Sequence, residues 1–241
     1  MSLLELRNIC MDFGGLRAID SLSLSIEAGQ ILGLIGPNGA GKSTAFNCVA
    51  GVYKPTSGEI WFDGQNITGA KPWDLCRAGL ARTFQIVKPF ASKTVLYNVM
   101  VGAFARTDKT DEAEAIALDV LQSLHLDHKK DFKSGALTIA DRKRLEIARA
   151  MATKPKLLLL DEVMAGLRPT EVDEMIDVFR AVRDSGVTIF VIEHIMRAIM
   201  ALSDELVVIQ FGRKISEGKP EAVAKDENVI KAYLGDEYVA S

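Results

Sequence analysis

Four short apolar runs, ILGLIG (31–36), KLLLLD (156–161), VTIFVIE (187–193) and LVVIQFG (206–212), constrain the fold of this 241-residue chain more than any other feature. None alternates apolar with polar residues. A strand with one wet face alternates, because successive side chains point to opposite sides; a near-continuous apolar run is buried on both faces. The runs therefore predict an α/β core, a mainly parallel sheet covered by helices. Two other segments have a different texture. LSLSI (22–26) sets Leu22, Leu24 and Ile26 on one face against Ser23 and Ser25, and GEIWFDG (58–64) is a short strand bracketed by glycines. Both fit an antiparallel β layer.

Between Gln85 and Pro155 the periodicity turns helical, through SKTVLYNVMVGAF and DEAEAIALDVLQSLHL to a helix opening at Thr138. This predicts a single domain, 1–241, in which a helical subdomain (86–154) interrupts a core formed by 1–85 and 155–220. The segment 221–241 reads as closing helices. With 48% hydrophobic and 25% charged residues the chain lies outside the disordered class. Its net charge of -3 gives no general attraction to nucleic acid. Cys10, Cys48 and Cys76 are too scattered for a disulfide framework or a thiolate metal site and fit a reducing cytosol. His125 and His128, three apart in a predicted helix, have no further Cys or His nearby and read as surface residues. No apolar run approaches the roughly 20 residues of a membrane helix, and MSLLELRNIC has no charged n-region, so neither export nor membrane spanning is expected.

One of the apolar runs leads into GPNGAGKST (36–44), which matches G-x-x-x-x-G-K-[ST] at Gly36, Gly41, Lys42 and Ser43. Composition alone produces that pattern in on the order of one chain in a hundred, so the context decides. Here the glycines follow ILGLI and precede TAFNCVAG, a helix-compatible segment with Gly51 as its stop. In that order the backbone N–H groups of Asn38, Gly39, Ala40, Gly41 and Thr44 curl around an anion at a helix N-terminus. Lys42 would then hold the outer phosphates of a nucleotide, and Ser43 would ligate Mg2+.

LLLLDE (157–162) ends an apolar strand in two carboxylates, at the sheet edge where ligands of open α/β folds gather. Asp161 is placed to orient Mg2+ through water, and Glu162 to polarise a water for attack on a terminal phosphate. His194 follows VTIFVIE at the same edge and becomes a candidate phosphate contact, although a lone His after a strand is usually bland. LTIADRKR (137–144) reads as a capping box: Thr138 accepts the N–H of Asp141, and Asp141 reaches back to the N–H of Thr138.

Taken in order, Gly36 to Thr44, Gln85 in RTFQ, the 137–144 helix start, Asp161–Glu162, AGLRPTE (165–171) and His194 resemble the nucleotide-binding subunit of an ABC transporter over nearly the whole chain. MDFGGLRAIDSLSLSI, LARTFQ, MAGLRPTE, VIEH, MRAIMALSD and VIKAYLG are similar to the ATP-binding subunits of branched-chain amino acid importers. The resemblance implies an ATPase that pairs head to tail with a second ATP-binding subunit, identical or different, beneath two membrane-spanning permease subunits at the cytoplasmic face of the membrane. An extracytoplasmic solute-binding protein would feed the permease. It also implies that Phe13 stacks on adenine, that Gln85 completes the Mg2+ shell, and that the surface from Ile86 to about Val101, including Lys88, Pro89 and Phe90, receives a coupling helix.

In the family the signature is usually Leu-Ser-Gly-Gly-Gln and contacts the terminal phosphate bound by the opposite protomer. This chain has Leu137, Thr138, Ile139, Ala140 and Asp141. Thr138 keeps a hydroxyl, Ala140 keeps its N–H but adds a methyl, and Asp141 adds a charge. At an effective dielectric of about 20 that charge, a few ångströms from phosphate, would cost a few kcal/mol. Arg168 stands in AGLRPTE where many relatives carry an acidic or amide residue. Two expectations follow: either this signature makes one composite ATP site weak, or it is an ordinary variant that works in both. Competing functions fit less well. ABC proteins acting on DNA need long coiled-coil arms, the translation type carries two nucleotide units in one chain, and a small-molecule kinase would leave Gln85, His194 and the signature without roles. The solute is not written in a chain that never touches it; urea, amides and aromatic acids stand beside branched-chain amino acids.

Overall fold

The computed structural model describes residues 2–83 and 89–234. Its first half runs β1 (Ser2–Phe13), β2 (Leu16–Glu27), β3 (Ile31–Ile35), α1 (Lys42–Val49), β4 (Ser57–Phe62), β5 (Gln65–Asn66), α2 (Pro72–Ala78) and β6 (Leu80–Arg82). Three longer helices follow, α3 (Val95–Ala103), α4 (Thr110–Ser123) and α5 (Ile139–Met151). The chain then returns through β7 (Leu157–Asp161), α6 (Pro169–Asp184), β8 (Thr188–Ile192), α7 (Met196–Leu202), β9 (Glu205–Gln210) and β10 (Arg213–Gly218), and closes with α8 (Pro220–Val223) and α9 (Glu227–Leu234).

The four apolar runs become β3, β7, β8 and β9, neighbours in a six-stranded sheet of order β10-β9-β3-β8-β7-β6. All pairings are parallel except β10 with β9. Alternate residues of each strand enter different cores. Ile31, Leu158, Ile189 and Leu206 face a core shared with α3 to α7. Leu32, Leu157, Phe190 and Val207 face a second core shared with α1 and the antiparallel sheet β2-β1-β4-β5. Both faces are dry, which is why the runs cannot alternate. Phe46 of α1 lies at the centre of the second core, its ring 4.6 Å from that of Phe190. LSLSI lies in β2, with Leu22, Leu24 and Ile26 buried.

In the helical stretch, Val95, Val99 and Ala103 of α3 meet Ala113, Ala117 and Leu121 of α4 and Leu145 and Ala148 of α5. These sit at three- and four-residue spacing, so each helix presents one apolar face. The helix expected to carry His125 and His128 ends earlier. The Leu126 N–H bonds back to Leu121 O at 2.8 Å and the His125 N–H to Gln122 O at 3.1 Å, with His125 left-handed at φ 57. This Schellman motif buries Leu124 and Leu126 and leaves both histidines exposed, His128 in a separate 3₁₀ turn (Asp127–Lys129). No helix among the described residues is long and apolar enough to cross a membrane.

Candidate nucleotide site

The glycines after β3 are required by what surrounds them. A Cβ on Gly36 would run into the carbonyl oxygen of Ile209. At Gly41, where φ is +103, a Cβ would lie 2.5 Å from the carbonyl oxygen of Ala18. The loop is thus laid against β2 and the β9–β10 turn, and Gly212 fixes it further by donating its N–H to Ala40 O at 2.9 Å. α1 begins immediately beyond, with no acidic residue in its first turn to compete for the helix N-terminus. Lys42 is buried, and its Nζ donates to Gly36 O at 2.7 Å and Pro37 O at 3.0 Å. Burial lowers its pKa below the ordinary lysine value, while the Glu162 carboxylate works in the opposite sense.

Phe13, the loop from Asn38 through Gly39, Ala40, Gly41, Lys42 and Ser43 to Thr44, Glu162 and His194 line one open cleft of about 590 Å³. Residues from four separate stretches of sequence therefore line the same cleft. Phe13 is exposed at the rim, edge-on to Tyr53 with centroids 5.2 Å apart. Glu162 continues the ladder through its N–H to Ile192 O, but its φ of 51 turns the chain out of the strand. Such a backbone in a non-glycine residue costs of order 1 kcal/mol and is commonly found at functional sites. Its Oε1 lies 2.6 Å from His194 Nε2, so the two candidate catalytic side chains touch one another.

Asp161 sits behind them and is buried. Its Oδ2 accepts from Arg82 Nη2 at 3.0 Å, and Arg82 Nη1 donates to Asn47 Oδ1 at 2.6 Å, one turn along α1 from Ser43. The exposed Ser43 hydroxyl and the Asp161 carboxylate are hard oxygen donors of the kind Mg2+ takes, and a loop held close to its neighbours at Gly36 and Gly41, leading straight into a helix N-terminus, suits a polyphosphate.

Sequence reasoning missed Arg82, and it gave no role to Glu193, whose buried carboxylate accepts the Met164 N–H at 2.7 Å and braces the turn after Glu162. Burial raises the pKa of Glu193 above the usual carboxylate range. Leu16, Arg17, Ala18 and Phe211 also line the cleft.

Thr138 and Ala140 do not line this cleft; they lie at the start of α5. Thr138 Oγ1 accepts the Asp141 N–H at 3.2 Å, but Asp141 does not complete the box as expected. Its Oδ2 receives the Thr138 hydroxyl at 2.8 Å and Lys129 Nζ at 2.6 Å. Asp141 and Ala140 are both buried, so neither the charge nor the methyl stands out on the surface. Arg168 caps α6, its guanidinium 2.9 Å from Glu171. Gln85, with Ile86 and Lys88, lies outside the described residues. Phe90 has an exposed ring, and its backbone is pinned by Asn98 and Ser134.

Residues 19–165 match the family model for the ABC transporter, and residues 213–239 match the model described as branched-chain amino acid ATP-binding cassette transporter. The chain is 38% identical to the high-affinity branched-chain amino acid transport ATP-binding protein BraF of Pseudomonas aeruginosa, over 97% of this chain and 98% of that protein. Identity to LivG of Escherichia coli, which carries the same description, is also 38%, with the same coverage. Among solved structures, an ATP-binding cassette of an ABC transporter in its ADP conformation superposes with a TM-score of 0.90 at 31% identity, covering 98% of this chain and all of that one. A nucleotide-free cassette superposes equally well, at 32% identity. A mainly parallel sheet behind a glycine loop, an antiparallel layer beneath it and these full-length likenesses lead to one conclusion: the chain belongs to the ATP-binding proteins of ABC transporters, in the branched-chain amino acid family.

Proposed function

We propose that the chain binds MgATP in the cleft between Phe13 and His194 and hydrolyses it to drive an importer of branched-chain or related amino acids. One observation carries this: Lys42, the amides of the glycine loop and Glu162, distant in sequence, line the same cleft. In this reading Phe13 stacks on adenine, the N–H groups from Asn38 to Thr44 cradle the phosphates, and Lys42 exchanges its carbonyl partners for phosphate oxygens. Ser43 and Asp161, with Gln85, hold Mg2+, which supplies charge neutralisation at the phosphates when bound. Glu162 orients and polarises the attacking water, and His194, now on Glu162, turns to the terminal phosphate.

Thr138 and Ala140 act in trans, on ATP held by a second ATP-binding subunit. The pair sits under two permease subunits at the cytoplasmic face of the membrane, with the surface around Phe90 and Val101 as the docking face. A solute-binding protein delivers the amino acid from outside. The division into core (1–85, 155–220), helical subdomain (86–154) and closing helices (221–241) belongs to this proposal. The test is equilibrium binding and turnover with the purified chain. Lys42→Ala should abolish measurable MgATP affinity, and Glu162→Gln should bind ATP normally while losing at least about 100-fold in kcat. Undiminished binding by Lys42→Ala would refute the site.

A further inference from the structure

The family signature leads one to expect repulsion where this chain carries Asp141, but that carboxylate is paired inside the chain. Asp141 is 6% exposed, and a single oxygen, Oδ2, takes both the Lys129 ammonium at 2.6 Å and the Thr138 hydroxyl at 2.8 Å. Lys129 does not arrive there by chance rotation of a surface side chain. It ends a 3₁₀ turn whose following residues are tied to the start of α3, through Leu96 N–H to Lys130 O and Val95 N–H to Phe132 O, each 2.9 Å. Arg144, the other cation near Asp141, is engaged by Glu174. The exposed residues at the mouth of α5 are Thr138 and Ile139, neither of them charged.

We infer that Lys129 is a positioning residue for the signature: by taking up the Asp141 charge inside the chain, it leaves the Thr138 end of α5 electrostatically fit to approach a nucleotide phosphate. The inference rests on the proposed trans contact of Thr138 and deepens it. It favours the expectation that this signature is an ordinary working variant. The chemistry is that of a neutralised pair, in which the sum of charges at positions 129 and 141 matters more than the identity of either residue.

The experiment uses the transporter complex purified through a tag on this chain and measures MgATP hydrolysis at low and high salt, together with thermal melting. Lys129→Met keeps the apolar stem but frees the carboxylate, and should lower kcat/KM roughly fivefold to tenfold, with a smaller deficit at high salt. Lys129→Arg should stay within about twofold of the parent. The double variant Lys129→Met, Asp141→Asn removes both charges and should recover most of the lost activity. A Lys129→Met complex as active as the parent, or a double variant no better than Lys129→Met, would overturn the inference and leave Lys129 a structural brace. Failure of the trans contact itself has a separate signature: Thr138→Ala would leave hydrolysis unchanged.

Discussion

At the scale of single residues, the site is held by charges that satisfy one another before any ligand arrives. Arg82 spans Asp161 on β7 and Asn47 on α1, the elements that carry two of the proposed Mg2+ donors, Asp161 and Ser43. Both ends of the Arg82–Asp161 pair are largely withdrawn from solvent, at 15% and 9% side-chain exposure. Removing one partner of such a pair leaves an uncompensated buried charge, which typically costs about 3–5 kcal/mol. Arg82→Met should therefore lower the unfolding free energy by about 3 kcal/mol in urea titration, and adding Asp161→Asn should return part of that loss. Equal stability of Arg82→Met and the parent would mean that the pair is solvent-screened. Asp141 makes a pH prediction. Burial works to raise its pKa, but Lys129 and the Thr138 hydroxyl together outweigh it and hold the carboxyl below the ordinary aspartate range. The charged form then stabilises the fold. That contribution is complete above about pH 4 and is lost as pH falls through the depressed folded value. Melting temperatures of the parent and Asp141→Asn should differ at pH 7 and converge on acidification; a gap that is constant with pH would remove the electrostatic account.

At the scale of elements, what was legible in the sequence was whatever a local pattern encodes. The unalternating runs marked β3, β7, β8 and β9, and the glycine spacing with the following helix marked the phosphate loop. Thr138 was legible as an N-cap because capping is decided within one turn. Contacts between elements were not legible. Arg82 meets Asp161 across 79 residues, and nothing near either residue signals the other. The partner of Asp141, Lys129, comes from a different turn, and no rule about helix starts anticipates that ion pair. The helical pattern runs on over His125 in the sequence, because a left-handed histidine, unlike a glycine, does not announce a stop. Gly33 shows how packing between elements writes itself into one residue. A Cβ there would lie 2.5 Å from Leu206 Cδ2 and 2.9 Å from Ile199 Cδ1, so α7 seats directly on β3. Gly33→Ala should destabilise the chain by about 1–3 kcal/mol in urea, with the midpoint lowered and the slope unchanged. A neutral result would show that α7 shifts to make room.

At the scale of the whole molecule, the cleft and the start of α5 are separate surfaces of one chain. The cleft with Lys42 and Glu162 opens to solvent, and the start of α5, where Thr138 is exposed, lies off that cleft in the same chain. In the reading proposed above, a second ATP-binding chain closes the cleft by bringing its own α5 start over the bound phosphate. On that proposal part of the triphosphate's binding energy would be spent on association, and hydrolysis would release the pair. Sedimentation of the chain mixed with the second ATP-binding subunit of its transporter separates the possibilities. With Glu162→Gln, which keeps ATP intact, MgATP should drive a stable pair that dissociates when EDTA is added; Lys42→Ala should sediment as separate chains under the same conditions. Because the Lys42 ammonium donates to Gly36 O and Pro37 O of the glycine loop, its loss is aimed at the nucleotide cleft; a pair that persists in Lys42→Ala would have to form through another surface, and the coupling of ATP to transport would need a different origin.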